Sequence, residues 1–587
     1  MIISPLEPYQ SLFYRTSTRK REPEGGILEF RLGTAILASV RRALPLFAIY
    51  LTSKIIPASI GLKDWLFGGV VCASLVGSCI LRSHGLPMWT DELFSFQMIQ
   101  DPSLFHMLKA LGDGSDGAPP LYYLLVRMWA ALFSMSELSL RLFTTATVYA
   151  AFVLIWITLR RVYDFWPAAL AMSVVMGTSE TIRFENSNIR FYGLLFALIS
   201  LALLLAVELG ASERPSLRLI VANGCVQAAL ILCHPLGGFY SACLLTATVL
   251  ADAWVFRRIR WGVAISYPAG WCILPLWLRQ FAHQAAINNP HSWVPVPKFG
   301  AAIALTGSIG HFERLGCFLG VMIALSILFV RKGETAAATP DSPGLIDDPE
   351  LRRRQSRILF VGFALIGMLP FIWIFSRLVP NNSLFVARYL LGVSIGWTII
   401  MTQLSSVALP RLEWSANPGS KALKAIVVIF ILSNLAFLFG RGDLDRNAML
   451  GGADPSFGHT DLPIVCLRSH DFMPRMHYSP NADRYYYVLD RPVAVLPNNP
   501  LDASVTDYNL LAAAARNYPG LYRNHIVDVQ EFLDAHPSFL VQDVPHTCWV
   551  TTRLKPDEYT ITPLTASEPL ATGHEGAFPL LLVEKKR

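Results

Sequence analysis

The 587-residue chain is 53% hydrophobic and only 16% charged, with a mean hydropathy of +0.42, whereas soluble domains carry about 25% charged residues. These values exclude an ordinary soluble globular protein and point to a polytopic membrane protein. The 49 Lys and Arg against 42 Asp and Glu give a net charge of +7, which in such a chain orients helices and does not imply nucleic-acid binding.

In chain order, residues 1–33 are polar and basic, with no apolar run resembling a secretory signal. The first spanning helix is therefore expected to act as its own insertion signal. The stretch 43–61 contains Lys54 and two prolines and follows Arg41-Arg42; it reads as an interfacial helix. Runs long enough to cross about 30 Å of hydrocarbon fall at 65–81, 140–159, 165–181, 191–208, 217–233, 236–254, 262–278, 312–330, 358–375, 385–406 and 423–440. The short aromatic stretch 119–134 holds Arg127 and reads as lying along the membrane surface, and 333–357 reads as a mobile cytoplasmic linker.

Loop charge tests this topology. With the N-terminus in the cytoplasm, alternate loops carry Arg160-Arg161, Arg214 with Arg218, Arg257-Arg258 with Arg260, Arg331-Lys332 with Arg352 to Arg354, and Arg411 with Lys421 and Lys424. The intervening loops are poorer in basic residues, as the positive-inside bias requires. About eleven spans, an odd number, put the tail outside. Three parts are expected: a cytoplasmic segment 1–64, a transmembrane domain 65–440, and an extracytoplasmic domain 441–587 whose strand-like and helix-like runs alternate as in a small α/β fold. Asp528 and Glu531 fit a capping box there. Seven of the nine cysteines lie in apolar runs and read as small buried hydrophobes. Cys466 and Cys548 lie in the tail, where an oxidising compartment would allow them to pair.

The acidic pair Asp91-Glu92, in "WTDELFSF" just past the first span, is either a solvated loop end or a general base or metal ligand. Desolvation beside lipid would raise a carboxyl toward a useful range. The second outer loop, "SETIRFENSNIRFYG", holds Glu180, Arg183, Glu185 and Arg190. These residues either pair with one another at a helix end, or Arg190 with Tyr192 receives a phosphate at the membrane surface. His234 is either a structural turn residue or a hydrogen-bond donor to substrate. Arg388, beside Tyr389 in "VARYLLG", is either a snorkelling side chain or a phosphate ligand. Ionisable groups thus gather at helix ends on one face, which marks a functional site.

Four stretches together resemble the GT-C superfamily of integral-membrane glycosyltransferases, in particular the protein mannosyltransferase and lipid A aminoarabinose transferase group. "MWTDELFS" is similar to the family's first-loop acidic motif. "APPLYYLLVRMWAALFSMSELSLRLFTT", with Tyr122 and Tyr123 and ending near Arg141, is similar to its proline-aromatic juxtamembrane helix. "SETIRFENSNIRFYGL" and "VARYLLG" resemble its second-loop and late arginine-tyrosine segments. The resemblance covers about 65–210 well and the remainder in outline.

It implies a mainly α, polytopic GT-C fold with a C-terminal α/β domain, in an inner membrane. It also implies inverting transfer from a polyprenyl-phosphate sugar to a glycan, lipid or protein acceptor. Asp91 would be the general base, and Glu92 would support it or help hold a divalent cation such as Mg or Mn. Arg183, Arg190, Arg388, Tyr192 and Tyr389 would bind the donor phosphate. Glu185, His234, Tyr122 and Tyr123 would contact substrate. A secondary transporter or flippase is the alternative, but it favours inverted repeats and charges near the midplane, whereas here the charges lie at helix ends and no repeat stands out.

Overall fold

The computed structural model describes residues 60–287, 293–310, 348–379, 382–408, 418–439, 458–496, 504–542, 549–566 and 579–586, with a few isolated positions between them. The expected interfacial helix 43–61, most of the span 312–330, and Cys548 lie outside these residues.

The helical part begins with α1 (Leu62–Gly85). The first loop folds into α2 (Thr90–Ile99), α3 (Leu104–Gly112) and α4 (Leu121–Leu132). It is followed by α5 (Glu137–Arg160), α6 (Phe165–Val175), α7 (Glu180–Glu185), α8 (Tyr192–Ala211), α9 (Leu217–Cys233) and α10 (Leu236–Phe256). Short turns from Trp261 lead into α11 (Leu274–Ile287), and then come α12 (Phe299–Ile309), α13 (Pro349–Leu378), α14 (Leu391–Ala408) and α15 (Pro418–Leu438). Large apolar side chains such as Trp65, Leu217, Trp254, Phe363 and Ile429 stand exposed on these helices, a surface suited to lipid.

Seven helices among the described residues are long and apolar enough to cross a membrane, so the chain is an integral membrane protein. The run 165–181 stops as a helix at Val175, about 16 Å long at 1.5 Å per residue. Its polypeptide turns at Gly177, where a Cβ would meet the Ser173 carbonyl oxygen at 2.2 Å, and restarts with Ser179 capping α7. The run 262–278 lies within Trp261–His283, one of these seven, and is built of short pieces that include Pro268 and Pro275. The expected linker 333–357 is helical from Pro349, because Asp348 caps the helix and Pro349 occupies its first turn. The apolar helix α12 was not anticipated.

Among the described residues, basic side chains of several loops gather at one end. Arg160 pairs with Asp64 at 2.8 Å, Arg161 and Arg354 with Glu208, and Arg260 and Arg357 with the fully buried Asp252. Asp64 and Arg82 lie near opposite ends of α1, about 27 Å apart along the axis, so the arginine belt and the first loop occupy opposite ends of the bundle.

Helix α13 lies against α14 at Gly362 and Gly396, and a Cβ on Gly396 would stand 2.6 Å from the Gly362 carbonyl oxygen. Small residues allow such close approach in membranes. Gly396→Ala is expected to cost about 1–3 kcal/mol through overpacking, read as a lower melting temperature in detergent.

The tail forms a six-stranded sheet in the order β3-β2-β1-β4-β6-β5. Its strands are β1 (Ile464–Cys466), β2 (Tyr485–Leu489), β3 (Ile526–Asp528), β4 (Ser538–Gln542), β5 (Tyr559–Ala566) and β6 (Pro579–Lys585). The first four in space are parallel and the last two antiparallel. Helices α16 (Ser469–Tyr478), α17 (Ser504–Asn517) and α18 (Val529–Ala535) accompany it. Asp528 caps α18 by accepting from Gln530 N at 2.9 Å, and Cys466 is buried in β1. The sheet domain rests on the first loop. The Tyr478 hydroxyl accepts from Met88 N and donates to Glu137, both at 2.8 Å, while Tyr518 reaches Asp101 at 2.9 Å and Tyr522 reaches Gln97 at 2.5 Å.

Candidate active site

A cavity of about 1030 Å³ opens where the first loop, the second loop, the start of α14 and the tail domain meet. The size suits a small-molecule site. Asp91, Arg183, Glu185, Arg190, Tyr192, His234, Arg388 and Tyr389 all line it, so residues nearly 300 positions apart in sequence come together. Glu92, Tyr122 and Tyr123 do not line it.

Asp91 and Glu92 occupy the first turn of α2, where successive side chains point about 100° apart. Their fates differ accordingly. Asp91 is partly open, at 22% exposure, and its Oδ2 lies 3.2 Å from Arg388. Burial alone would raise its carboxyl, but Arg388, Arg190 and His470 outweigh burial and hold it below the usual carboxylate value. The expected upward shift from lipid-side desolvation is thus reversed by neighbouring charge.

Glu92 turns inward. It accepts from Trp89 N at 3.2 Å, which caps α2, from Ile189 N at 2.8 Å, and from Arg141 Nη2 at 3.1 Å. Both of its oxygens are engaged, so this carboxylate ties the two loops together and is poorly placed for substrate chemistry. Tyr122 and Tyr123 are fully buried in the core, packed edge to face at 5.4 Å; their apolar bodies anchor α4, and no substrate contact is open to them.

The second loop is held by a dense set of bonds. Asn186 donates to Leu75 O, Trp89 Nε1 to Asn188 Oδ1, and Asn188 Nδ2 to Glu185 Oε2, at 2.9, 3.1 and 3.0 Å. Glu185 Oε1 is buried with no hydrogen-bond partner. Burial, only partly offset by Arg388 and Asn188, pushes this carboxyl up to about 7.

Arg190, expected on the donor phosphate, is paired with Asp116 at 2.8 Å and also donates to Asp91 O and Ser95 Oγ. It braces the first loop. Arg388 is better disposed toward a ligand: its guanidinium lies 5.2 to 5.9 Å from the ring centres of Trp89, Tyr192, Trp293 and Tyr389. His234 Nδ1 accepts from Leu236 N at 3.1 Å, which leaves Nε2 as the donor of a neutral ring. Burial, with Arg190 and Arg388 adding to it, lowers its pKa to about 3.

The sequence reading missed Arg82 in the last turn of α1, Trp89, and three residues of the tail, Ser469, His470 and Asp507, and gave Asp116, one of the first loop's acids, no role of its own; all of them line the cavity. An acid three residues after Trp89, at the start of a helix, was a legible capping signal for Glu92. Nothing local marks His470 or Asp507.

No group of three or more His, Cys, Asp or Glu residues able to hold a metal occurs among the described residues. A divalent cation shared by Asp91 and Glu92 does not fit, because Glu92 is saturated by N–H donors and Arg141 and Asp91 faces Arg388.

No family model matches the chain, and no curated protein matches its sequence. Solved structures match in fold. ArnT from Cupriavidus metallidurans bound to undecaprenyl phosphate is 12% identical with a TM-score of 0.51, covering 89% of this chain and 98% of that one. Its apo state is 13% identical over the same shares, with the same score. AglB from Archaeoglobus fulgidus, in complex with an inhibitory peptide and a dolichol-phosphate, has a TM-score of only 0.37 at 11% identity, covering 82% of this chain and 70% of that one, too low to carry an argument. At these identities the likeness establishes the fold alone: a polytopic helical bundle with an added domain.

Proposed function

We propose that the protein transfers a sugar from a polyprenyl-phosphate donor to a hydroxyl of an envelope glycan, lipid or protein at the outer membrane face, with inversion. The observation that carries this reading is the large cavity in which a carboxylate, Asp91, meets a caged arginine, Arg388, at one end of a bundle sharing the fold of an undecaprenyl-phosphate-bound protein. The basic loops at the other end support an outer-face site.

The donor phosphate would sit at Arg388, and its tail would leave along the apolar wall of Phe239, Phe281, Phe375 and Leu384. The acceptor hydroxyl attacks the anomeric carbon from the face opposite the phosphate, and its proton passes to Asp91. The bond from carbon to phosphate oxygen breaks, and the electron pair left on the phosphate is stabilised by Arg388. A single displacement without an enzyme nucleophile inverts the configuration. Donor binding also activates the base. A phosphate at Arg388 competes for the charge that holds Asp91 down, so the Asp91 carboxylate becomes more basic when the donor is in place.

Glu185 supplies a pH signature. Below about pH 7 its carboxyl is neutral and can donate to a sugar hydroxyl; above it, the group ionises beside Asp91 and loses that donor. The kcat/KM is therefore expected to fall above about pH 7, and Glu185→Gln, permanently neutral, is expected to lose that limb. Persistence of the limb in the Gln variant would assign it elsewhere.

The direct test is incubation of the purified protein in detergent with polyprenyl-phosphate sugars and envelope extracts. Release of free polyprenyl phosphate coupled to a new glycosidic product is expected. Movement of sugar across sealed liposomes without transfer would favour a transporter and overturn the reading.

A further inference from the structure

A smaller cavity of about 170 Å³ adjoins the large one. The two share Arg82, Trp89, Thr90, Phe184 and His470. Two guanidiniums border the small cavity. Arg82 is 8% exposed, and its Nη1 donates to Arg183 O at 3.0 Å. Arg141 is 2% exposed, and its Nη2 donates to Glu92. In each, the Nε is fully covered and has no hydrogen-bond partner, as is also the case for Arg190 and Arg388 outside this pocket. Buried donors of this kind are costly and rare in native interiors. Of the residues lining the pocket two are arginines and one, Glu92, is a carboxylate; beyond the lining, Glu185 acts on Arg82 and Glu137 on Arg141.

Such a pocket matches one oxyanion group. A guanidinium presents Nε and Nη in a planar fork, and carboxylate or phosphate oxygens satisfy that fork in pairs. The apolar wall assigned to the donor tail takes no part in it: Phe239, Phe281, Phe375 and Leu384 line the large cavity only. Trp89 and Thr90, which immediately precede Asp91, line both cavities, so a group held in the side pocket stands next to the base.

We propose that the side pocket is a second oxyanion subsite, with Arg82 as its principal ligand, and that it holds a phosphate or carboxylate carried by the acceptor. Assignment to the acceptor rests on the transferase reading; binding of an oxyanion does not.

The test uses the full-length protein in detergent, saturated with a short-chain prenyl phosphate so that the donor site is filled, and titrated with inorganic phosphate while melting temperature is read. Wild type is expected to gain stability saturably. Arg82→Gln is expected to weaken phosphate by about tenfold or more, as loss of a charged hydrogen-bonding partner does. Its affinity for prenyl phosphate should stay near wild type, and Arg388→Gln should show the opposite pattern. Because Arg82 also braces the second loop, Ser187→Leu, which fills the pocket and spares both arginines, provides an independent variant that should also abolish the phosphate effect. Unchanged phosphate affinity in both variants, or prenyl phosphate lost in Arg82→Gln as fully as in Arg388→Gln, overturns the proposal. Failure of the transferase reading would show separately, as absence of donor turnover.

Discussion

Asp91→Asn is expected to lower kcat by about 10²–10⁴-fold, the usual contribution of a positioned general base, while donor affinity holds or improves. The second half of that expectation follows from the pairing at 3.2 Å with Arg388. Removing the carboxylate charge frees the guanidinium for the donor phosphate. A purely structural role for Asp91 would weaken donor binding and stability together. Single-turnover measurement of sugar transfer, alongside equilibrium binding of a polyprenyl phosphate, separates the two. Full turnover in the Asn variant would remove Asp91 from the mechanism.

Arg141→Met is expected to produce the largest loss of stability. It strands Glu92, 2% exposed, in the core without its counter-ion. Breaking a buried pair from one side costs about 3–5 kcal/mol. Glu92→Gln combined with Arg141→Met should recover part of that loss, because the stranded carboxylate is gone, while Arg82 gives up its share of the Glu92 charge. Thermal denaturation of the single and double variants in detergent measures the coupling. The same series tests the division of labour between the adjacent acids. Glu92→Gln should affect activity mainly through stability, whereas an effect on kcat as large as that of Asp91→Asn in a fully stable protein would return Glu92 to the chemistry.

These two residues show how much of the site was legible. Both acids, the second-loop arginines, His234 and Arg388 could be picked out because charge at the end of an apolar run costs free energy and needs a reason. Their roles were not legible. A turn of about 100° per residue sends Asp91 to the cavity and Glu92 into the core, and only the position of α2 against Ile189 and Arg141 decides which goes where. Arg190 was read as a phosphate ligand from its place beside Tyr192, yet Asp116, 74 positions earlier, has claimed it. Arg82 went unnoticed because one arginine ending a span looks like a snorkelling anchor, and its orphaned Nε appears only once Arg183 and Phe184 pack over it.

The fold divides along the same line. Five strand-like and two helix-like runs in the tail were readable from local alternation, and they became β1, β2, β4, β5, β6, α17 and α18. The strand β3, fixed by its pairing with β2, and the helix α16 were missed.

By itself, the sequence determined a membrane-embedded helical bundle, the clustering of its basic loops, and an α/β tail, because hydrophobic length and periodicity are local and each span must satisfy its own backbone hydrogen bonds. Tertiary structure alone decided that α6 stops half-way across, that Ser469, His470 and Asp507 of the tail complete the cavity, and that Asp91 meets Arg388. The physical reason is that packing and charge pairing join residues nearly 300 to more than 400 positions apart, and no local propensity encodes which of several buried charges will find each other.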